Sequence, residues 1–131
     1  MKRILVDTSA YSAFMRGRQQ VVEAFQIAER IFINPIVLGE LRAGFAAGGR
    51  REKNDAELQA FLNSPRVEVA LIDEETSVFY ASIYRALRQA GTPIPTNDLW
   101  IAASAMQHGL CLVTTDAHFQ KVSSIILEFF D

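Results

Sequence analysis

The sequence predicts an α/β fold in which helices cover both faces of a central, mostly parallel sheet of four to five strands. Short apolar runs recur along the chain, and segments with apolar residues at helical spacing separate them. Strands that alternate with helices form βαβ units, which assemble into a parallel sheet. The chain has 131 residues, half of them hydrophobic, which is enough for one core. We therefore expect residues 1–131 to fold as a single domain.

The first half of the chain predicts two strands and four helices. The apolar run at 4–6 predicts a buried strand, and Asp7-Thr8-Ser9 supplies three good N-cap residues for a short helix that Gly17 ends. Pro35 begins a longer helix, because proline fits the first helical turn. Apolar spacing predicts the other elements, which are a helix over 21–28, a strand over 30–34 and a helix over 52–62.

The second half of the chain predicts two long helices between strands. Asp73 caps the first helix, which Gly91 stops, and Thr96 caps the second, which Gly109 stops. Apolar runs predict strands on either side of this helical pair and a further strand near the end of the sequence, at 67–71, 110–113 and 124–129.

Four acidic residues lie near the ends of these predicted strands. Asp7 directly follows the first strand, and Asp116 follows the fourth. Glu40 lies about one turn into the helix after the second strand, and Asp98 lies in the first turn of the helix before the fourth. Ligands of a parallel sheet bind beyond the carboxyl ends of its strands, so we expect the four carboxylates to converge there.

A carboxylate cluster of this kind is typical of a metal site. Clustered carboxylates repel one another unless a cation holds them, and hard oxygen ligands suit Mg²⁺ or Mn²⁺. One or two such ions can activate a water for hydrolysis of a phosphodiester bond, which leaves 5′-phosphate and 3′-hydroxyl ends. Each acid taken alone also fits a structural role, as an N-cap, a turn residue or a solvated helix residue.

Four stretches of the sequence resemble the PIN domain family and, more narrowly, the VapC toxins of type II toxin–antitoxin modules. They are ILVDTS at 4–9, IVLGEL at 36–41, IPTNDLWIAA at 94–103 and LVTTDAHF at 112–119. Their order and spacing extend the resemblance over essentially the whole chain. It implies a three-layer α/β/α fold, an Mg²⁺- or Mn²⁺-dependent endoribonuclease, a homodimer and a small antitoxin partner.

The same resemblance assigns roles to individual residues. It implies that Asp7, Glu40, Asp98 and Asp116 bind the metal, and that Thr114 is the family's hydroxyl residue, which hydrogen-bonds within the acidic site. We expect all five to be catalytic.

Charge and composition limit the partners that we expect. The net charge is −2, which argues against non-specific nucleic-acid binding, but without its four acids the chain would carry +2. Arg42 is a candidate for a phosphate contact, and Thr8, which follows Asp7, is a second candidate for contact with the RNA substrate. One cysteine excludes an internal disulfide framework, and no apolar run is long enough to span a membrane. With no signal-peptide pattern, we expect a cytoplasmic protein.

Other interpretations remain open at this point. A PIN-fold nuclease could act on DNA, or a protein could keep the fold as a non-catalytic binding module. A phosphatase with Asp7 as nucleophile is disfavoured, since the second acid such enzymes usually carry two residues later is Ser9 here. His108 and His118 lack the paired spacing of metal ligands, which favours structural roles for both, although His118 is near Asp116.

Overall fold

The computed structural model describes residues 2–131, and Met1, the first residue of the predicted domain, lies outside them. Five strands form the sheet: β1 (Arg3–Val6), β2 (Arg30–Ile33), β3 (Val67–Val69), β4 (Cys111–Thr114) and β5 (Ile126–Phe129). All neighbouring strands are parallel, in the order β3-β2-β1-β4-β5. The prediction of a parallel sheet with up to five strands is confirmed.

Helices connect the strands throughout. They are α1 (Thr8–Met15), α2 (Gln19–Ile27), α3 (Pro35–Ala47), α4 (Arg51–Leu62), α5 (Glu74–Ala90) and α6 (Thr96–His108), and a 3₁₀ helix (Ala117–Lys121) joins β4 to β5. The chain moves from β1 outward to β3 and then crosses back to β4 on the other side of β1. Right-handed crossovers in opposite directions put helices on opposite faces of the sheet, which gives the three-layer α/β/α architecture.

The strand order creates a crevice at the carboxyl ends of β1 and β4. The chain leaves β1 towards β2 and leaves β4 towards β5, in opposite directions along the sheet. The strand order therefore reverses between β1 and β4. Val6 pairs with Val113, which brings the residues that follow them, Asp7 and Thr114, to the same level of the sheet. The register of the two central strands therefore sets the floor of the crevice.

The core lies on both sides of the sheet. Ile4, Leu5 and Val6 are fully buried, as expected for a central parallel strand covered on both faces. On α1, Tyr11 packs edge-on against Phe61, and Phe14 stacks on Phe25 with ring centroids 4.4 Å apart. No helix within residues 2–131 combines the length and apolar character needed to cross a membrane.

The observed boundaries differ from the predicted ones for identifiable reasons. Thr96 does not cap α6: it is the first helical residue, and Pro95 precedes it in an extended conformation with no side-chain cap. The strand predicted over 67–71 ends at Val69, because its partner β2 ends at Ile33. Similarly, β5 starts at Ile126, which pairs with Cys111 at the start of β4.

Candidate metal centre

A cavity of about 320 Å³ opens beyond the carboxyl ends of β1 and β4. The four acids that we expect to bind the metal all line it, together with hydroxyl groups from α1 and one apolar side chain from α6. The lining residues are Asp7, Thr8, Ser9, Ser12, Glu40, Asp98, Ile101 and Asp116. The structure thus brings together carboxylates from four separate segments of the chain, and none of the lining residues within 2–131 is a lysine or an arginine.

Asp7 is the most deeply placed of these acids, with 3% of its surface exposed. It is the N-cap of α1, and its Oδ1 accepts hydrogen bonds of 2.8 Å from the Ala10 backbone N–H and from the Ser9 hydroxyl. Its Oδ2 accepts a 2.5 Å bond from the Thr114 hydroxyl. Three donors therefore fix the orientation of one buried carboxylate.

Thr114 and Ser9 connect the ends of the two central strands. The backbone N–H of Asp116 donates to Thr114 Oγ1 over 2.9 Å, and the backbone N–H of Thr115 donates to Ser9 Oγ over 3.0 Å. The two hydroxyls lie 3.2 Å apart. The segment that carries Asp116 is thereby held against the residues that hold Asp7.

Asp98 and Asp116 approach each other around a histidine ring. His118 Nδ1 lies 3.0 Å from Asp98 Oδ2 and 3.2 Å from Asp116 Oδ1. Asp98 lies in the first turn of α6, and Asp116 is the N-cap of the 3₁₀ helix. The sequence predicts structural roles for both histidines; the His118 ring lies beside two of the acids, whereas His108 Nε2 lies 3.2 Å from the Leu71 carbonyl oxygen, away from the acids.

Glu40 is held by two side chains. The Thr8 hydroxyl donates to Oε1 over 2.6 Å, and the Asn97 amide donates to Oε2 over 3.1 Å. Both carboxylate oxygens of Glu40 thus have a hydrogen-bond donor in the protein, as do both oxygens of Asp7. Asn97 and Thr8 link α6 and α1 to α3 at the rim of the cavity.

Burial is the main influence on the pKa values of Asp7 and Asp98, and neighbouring charges add to it. Burial raises the pKa of Asp7, while its bonds with Thr114, Ala10 and Ser9 lower it and the charge of Asp116 raises it. Burial also raises the pKa of Asp98, the hydrogen bond with His118 lowers it, and the charges of Asp116 and Glu40 raise it. The negative charges therefore destabilise one another, as they do where a cation normally balances them.

The donor set fits a hard divalent cation. Carboxylate and hydroxyl oxygens converge on one cavity, and Asp98, Asp116 and His118 each place one donor atom within 4.8 Å of the others. Both predicted substrate-contact residues lie outside this trio. Thr8 lines the cavity with its hydroxyl on Glu40, and Arg42 is exposed on α3 outside the cavity lining.

Three polar side chains that form hydrogen bonds with the acids were not assigned to the site from the sequence. The run at 7–9 predicts a helix cap for Ser9, and neither Asn97 nor His118 lies in a pattern that by itself indicates a metal site. The signal available was their position beside an acid, since each lies within two residues of Asp7, Asp98 or Asp116.

Comparison with known proteins agrees with this geometry. The PIN domain family model matches residues 4–125. Ribonuclease VapC4 of Mycobacterium tuberculosis is 32% identical over 131 residues, with 95% of each chain covered. Ribonuclease VapC2 of Rickettsia felis is 33% identical over 102 residues, which cover 77% of this chain and 75% of that protein.

A solved structure has the same fold. The crystal structure of VapBC2 from Rickettsia felis, bound to a DNA fragment from its promoter, matches with a TM-score of 0.87 at 26% identity. The match covers 98% of this chain and 99% of that chain. The chain therefore belongs to the PIN domain family and, within it, to the VapC ribonucleases.

Proposed function

We propose that this chain is a cytoplasmic endoribonuclease toxin that depends on Mg²⁺ or Mn²⁺, formed by residues 1–131 as one PIN-like domain. The observation that carries the proposal is the convergence of Asp7, Glu40, Asp98 and Asp116 on one cavity at the strand-order reversal. Family membership supports the ribonuclease activity, and the cavity supports the requirement for a metal.

Asp7, Asp98 and Asp116 are the proposed direct ligands. Glu40 would contribute directly or through a water: Thr8 and Asn97 each donate to one of its oxygens, as Ser9 and Thr114 donate to those of Asp7. These acids would hold a divalent ion, which would supply a water nucleophile at neutral pH and stabilise the charge that develops during phosphodiester hydrolysis.

The remaining residues position the acids and the substrate. Thr114 and Ser9 hold the Asp7 carboxylate, so that one face of the cavity is preorganised before substrate arrives. The cavity is open to solvent on the side of His118 and Asp116, which are part-exposed, and a flexible RNA backbone can enter there. Arg42 is the proposed phosphate contact outside the cavity.

An antitoxin is the proposed protein partner, as for the VapC toxins that this chain resembles. A second, mostly apolar cavity of about 460 Å³ lies between α1, α2 and α4 and includes Phe14, Phe25 and Phe61. A smaller cavity shares Ser12 with the acidic site, and Met15 and Glu57 with the apolar cavity. A bound segment can therefore follow α1 from the apolar cavity towards the acids.

A homodimer is also part of the proposal. Tyr80 stacks with Tyr84 and lies 4.3 Å from Trp100 between ring centroids, which forms an aromatic surface on α5 and α6. Tyr84 is 42% exposed, and a second copy of the chain would cover it.

The test is cleavage of total cellular RNA by the purified, antitoxin-free protein, with the new 5′ ends mapped. Cleavage is expected with Mg²⁺ or Mn²⁺ and is expected to disappear with EDTA or in Asp98→Asn. Asp55→Asn, which alters an acid paired with Arg51 on α4, is the matched control and should cleave normally. Cleavage of DNA in place of RNA would identify a DNA nuclease, and metal binding without any cleavage would indicate a binding module.

A further inference from the structure

We propose that His118 is a nitrogen ligand of the metal in this site, and that it makes the site prefer Mn²⁺ over Mg²⁺. The inference rests on the proposed metal site, and it concerns a residue whose isolated position in the sequence favoured a structural role. The observation behind it is the position of the His118 ring between two carboxylates from different helices.

Local structure fixes the position of this ring. Asp116 caps the 3₁₀ helix, and its Oδ1 accepts a 2.9 Å hydrogen bond from the His118 backbone N–H. The next residue, Phe119, is fully buried and anchors the segment in the core. With its backbone held on both sides, His118 has its ring directed back over Asp116 and towards the first turn of α6.

The distances suit three ligands of one ion. In an octahedral site with metal–ligand distances of about 2.1 Å, neighbouring ligand atoms are about 3.0 Å apart. His118 Nδ1 lies 3.0 Å from Asp98 Oδ2 and 3.2 Å from Asp116 Oδ1. Two of the three distances therefore suit neighbouring ligands of one ion, and one donor atom from each of the three groups lies within 4.8 Å of the other two.

The charge of the site also favours a neutral ligand at this point. Four carboxylates line the cavity, and a neutral imidazole adds a donor without adding a fifth negative charge. Imidazole nitrogen is a softer donor than carboxylate oxygen, and it binds transition metals better than it binds Mg²⁺. The His118 side chain is 46% exposed, so the ion can reach it from solvent.

The experiment uses the tag-free full chain loaded with Mn²⁺ and electron spin-echo spectroscopy, which detects nitrogen bonded to the ion. The sequence contains only two histidines, His108 and His118. In His108→Ala, His118 is the sole histidine, and labelling this variant with ¹⁵N-histidine tests the assignment directly. We expect imidazole ¹⁴N coupling in the wild type and in His108→Ala, its replacement by ¹⁵N coupling on labelling, and its loss in His118→Ala.

Titration calorimetry provides the second measurement. His118→Ala is expected to lower the Mn²⁺ affinity by about tenfold or more, and the Mg²⁺ affinity by a smaller factor, while His108→Ala changes neither. Bound Mn²⁺ without imidazole coupling would overturn the role of His118 as a ligand, and equal losses for the two metals would overturn the preference for Mn²⁺; both outcomes leave the acidic metal site standing. If the wild type and Asp98→Asn both fail to bind Mn²⁺, the metal site and the role of His118 fail together.

Discussion

The Thr114 hydroxyl donates a 2.5 Å hydrogen bond to Oδ2 of Asp7, so the last residue of β4 holds the first residue after β1. The two residues are 107 positions apart in the chain, and the pairing of Val6 with Val113 puts them side by side. The bond is buried, and it lowers the pKa of a carboxyl that burial otherwise raises. The bond therefore depends on the register of β1 and β4, and it favours the ionised form of Asp7.

Replacing this hydroxyl tests its role. Thr114→Val keeps the shape of the side chain but removes the donor, so the pKa of Asp7 is expected to rise further. Cleavage should fall by about 10- to 100-fold at neutral pH, and its acidic limb should move to higher pH, because a higher pH is then needed to ionise Asp7. The measurement is the cleavage rate as a function of pH. Thr114→Ser, which keeps the hydroxyl, should restore most of the activity, and a Val variant with the wild-type pH profile would contradict this role.

Metal binding should stabilise the folded protein, and protonation of Asp7 and Asp98 at low pH should have part of the same effect. The pKa values of Asp7 and Asp98 are raised above 3.8 in the folded state, so their protonation favours folding. This contribution is fully present below pH 3.8 and is lost as the pH rises through the folded-state values. Without metal, Asp98→Asn should therefore gain stability relative to the wild type as the pH rises towards neutrality.

Thermal unfolding with and without metal measures this effect. At pH 7, Mn²⁺ at 100 times its dissociation constant should stabilise the wild type by about 2.7 kcal/mol. Asp98→Asn should gain much less, because it lacks a ligand. An equal gain in both proteins would place the bound ion elsewhere.

The hydrogen bonds to Glu40 should matter for the reaction rate and little for folding. Asn97→Ala removes the donor to Oε2 at the rim of the cavity, which leaves the carboxylate less well oriented. Loss of such an orienting partner typically costs about 10- to 100-fold in activity or metal affinity. The measurement is kcat and KM on a defined RNA substrate, once one has been mapped.

The matched control for Asn97→Ala is Asn63→Ala, at an exposed asparagine after α4. It should leave both constants unchanged. A loss in Asn97→Ala that is matched by an equal loss of thermal stability would indicate that Asn97 supports the fold instead of Glu40.

A buried threonine far from the acids should affect stability alone. Thr76 is fully buried on α5, where its hydroxyl accepts a hydrogen bond from the Asp73 backbone and donates one to Gln107 of α6. Thr76→Val removes both bonds, and with them the capping box that Thr76 forms with Asp73 at the start of α5. The free energy of unfolding should fall by about 1–3 kcal/mol in urea titrations.

Cleavage at permissive temperature should remain normal in Thr76→Val, because this residue lies outside the acidic cavity. The exposed neighbour Ser77→Ala is the control and should change stability much less. A loss of activity without loss of stability in the Val variant would show that α5 influences the site directly.

The sequence alone determined the elements and the position of the acids along the chain. Apolar runs, cap residues and glycines define the strands and helices, and Gly17, Gly91 and Gly109 do adopt the positive φ that stops a helix. Asp7 and Asp116 follow β1 and β4 in sequence, so the rule for parallel sheets was enough to expect them at one edge. These are local properties, or consequences of strand direction.

Only the tertiary structure decided which side chains meet. The ring of His118 lies beside Asp98 across 20 residues, and Asn97 contacts Glu40 across 57. The first contact depends on the 3₁₀ helix that Asp116 caps, and the second on the way α6 packs beside α3. Neither leaves a periodic signal in the sequence, because side-chain contacts between separate elements depend on strand order, register and helix packing, which are set by the whole fold.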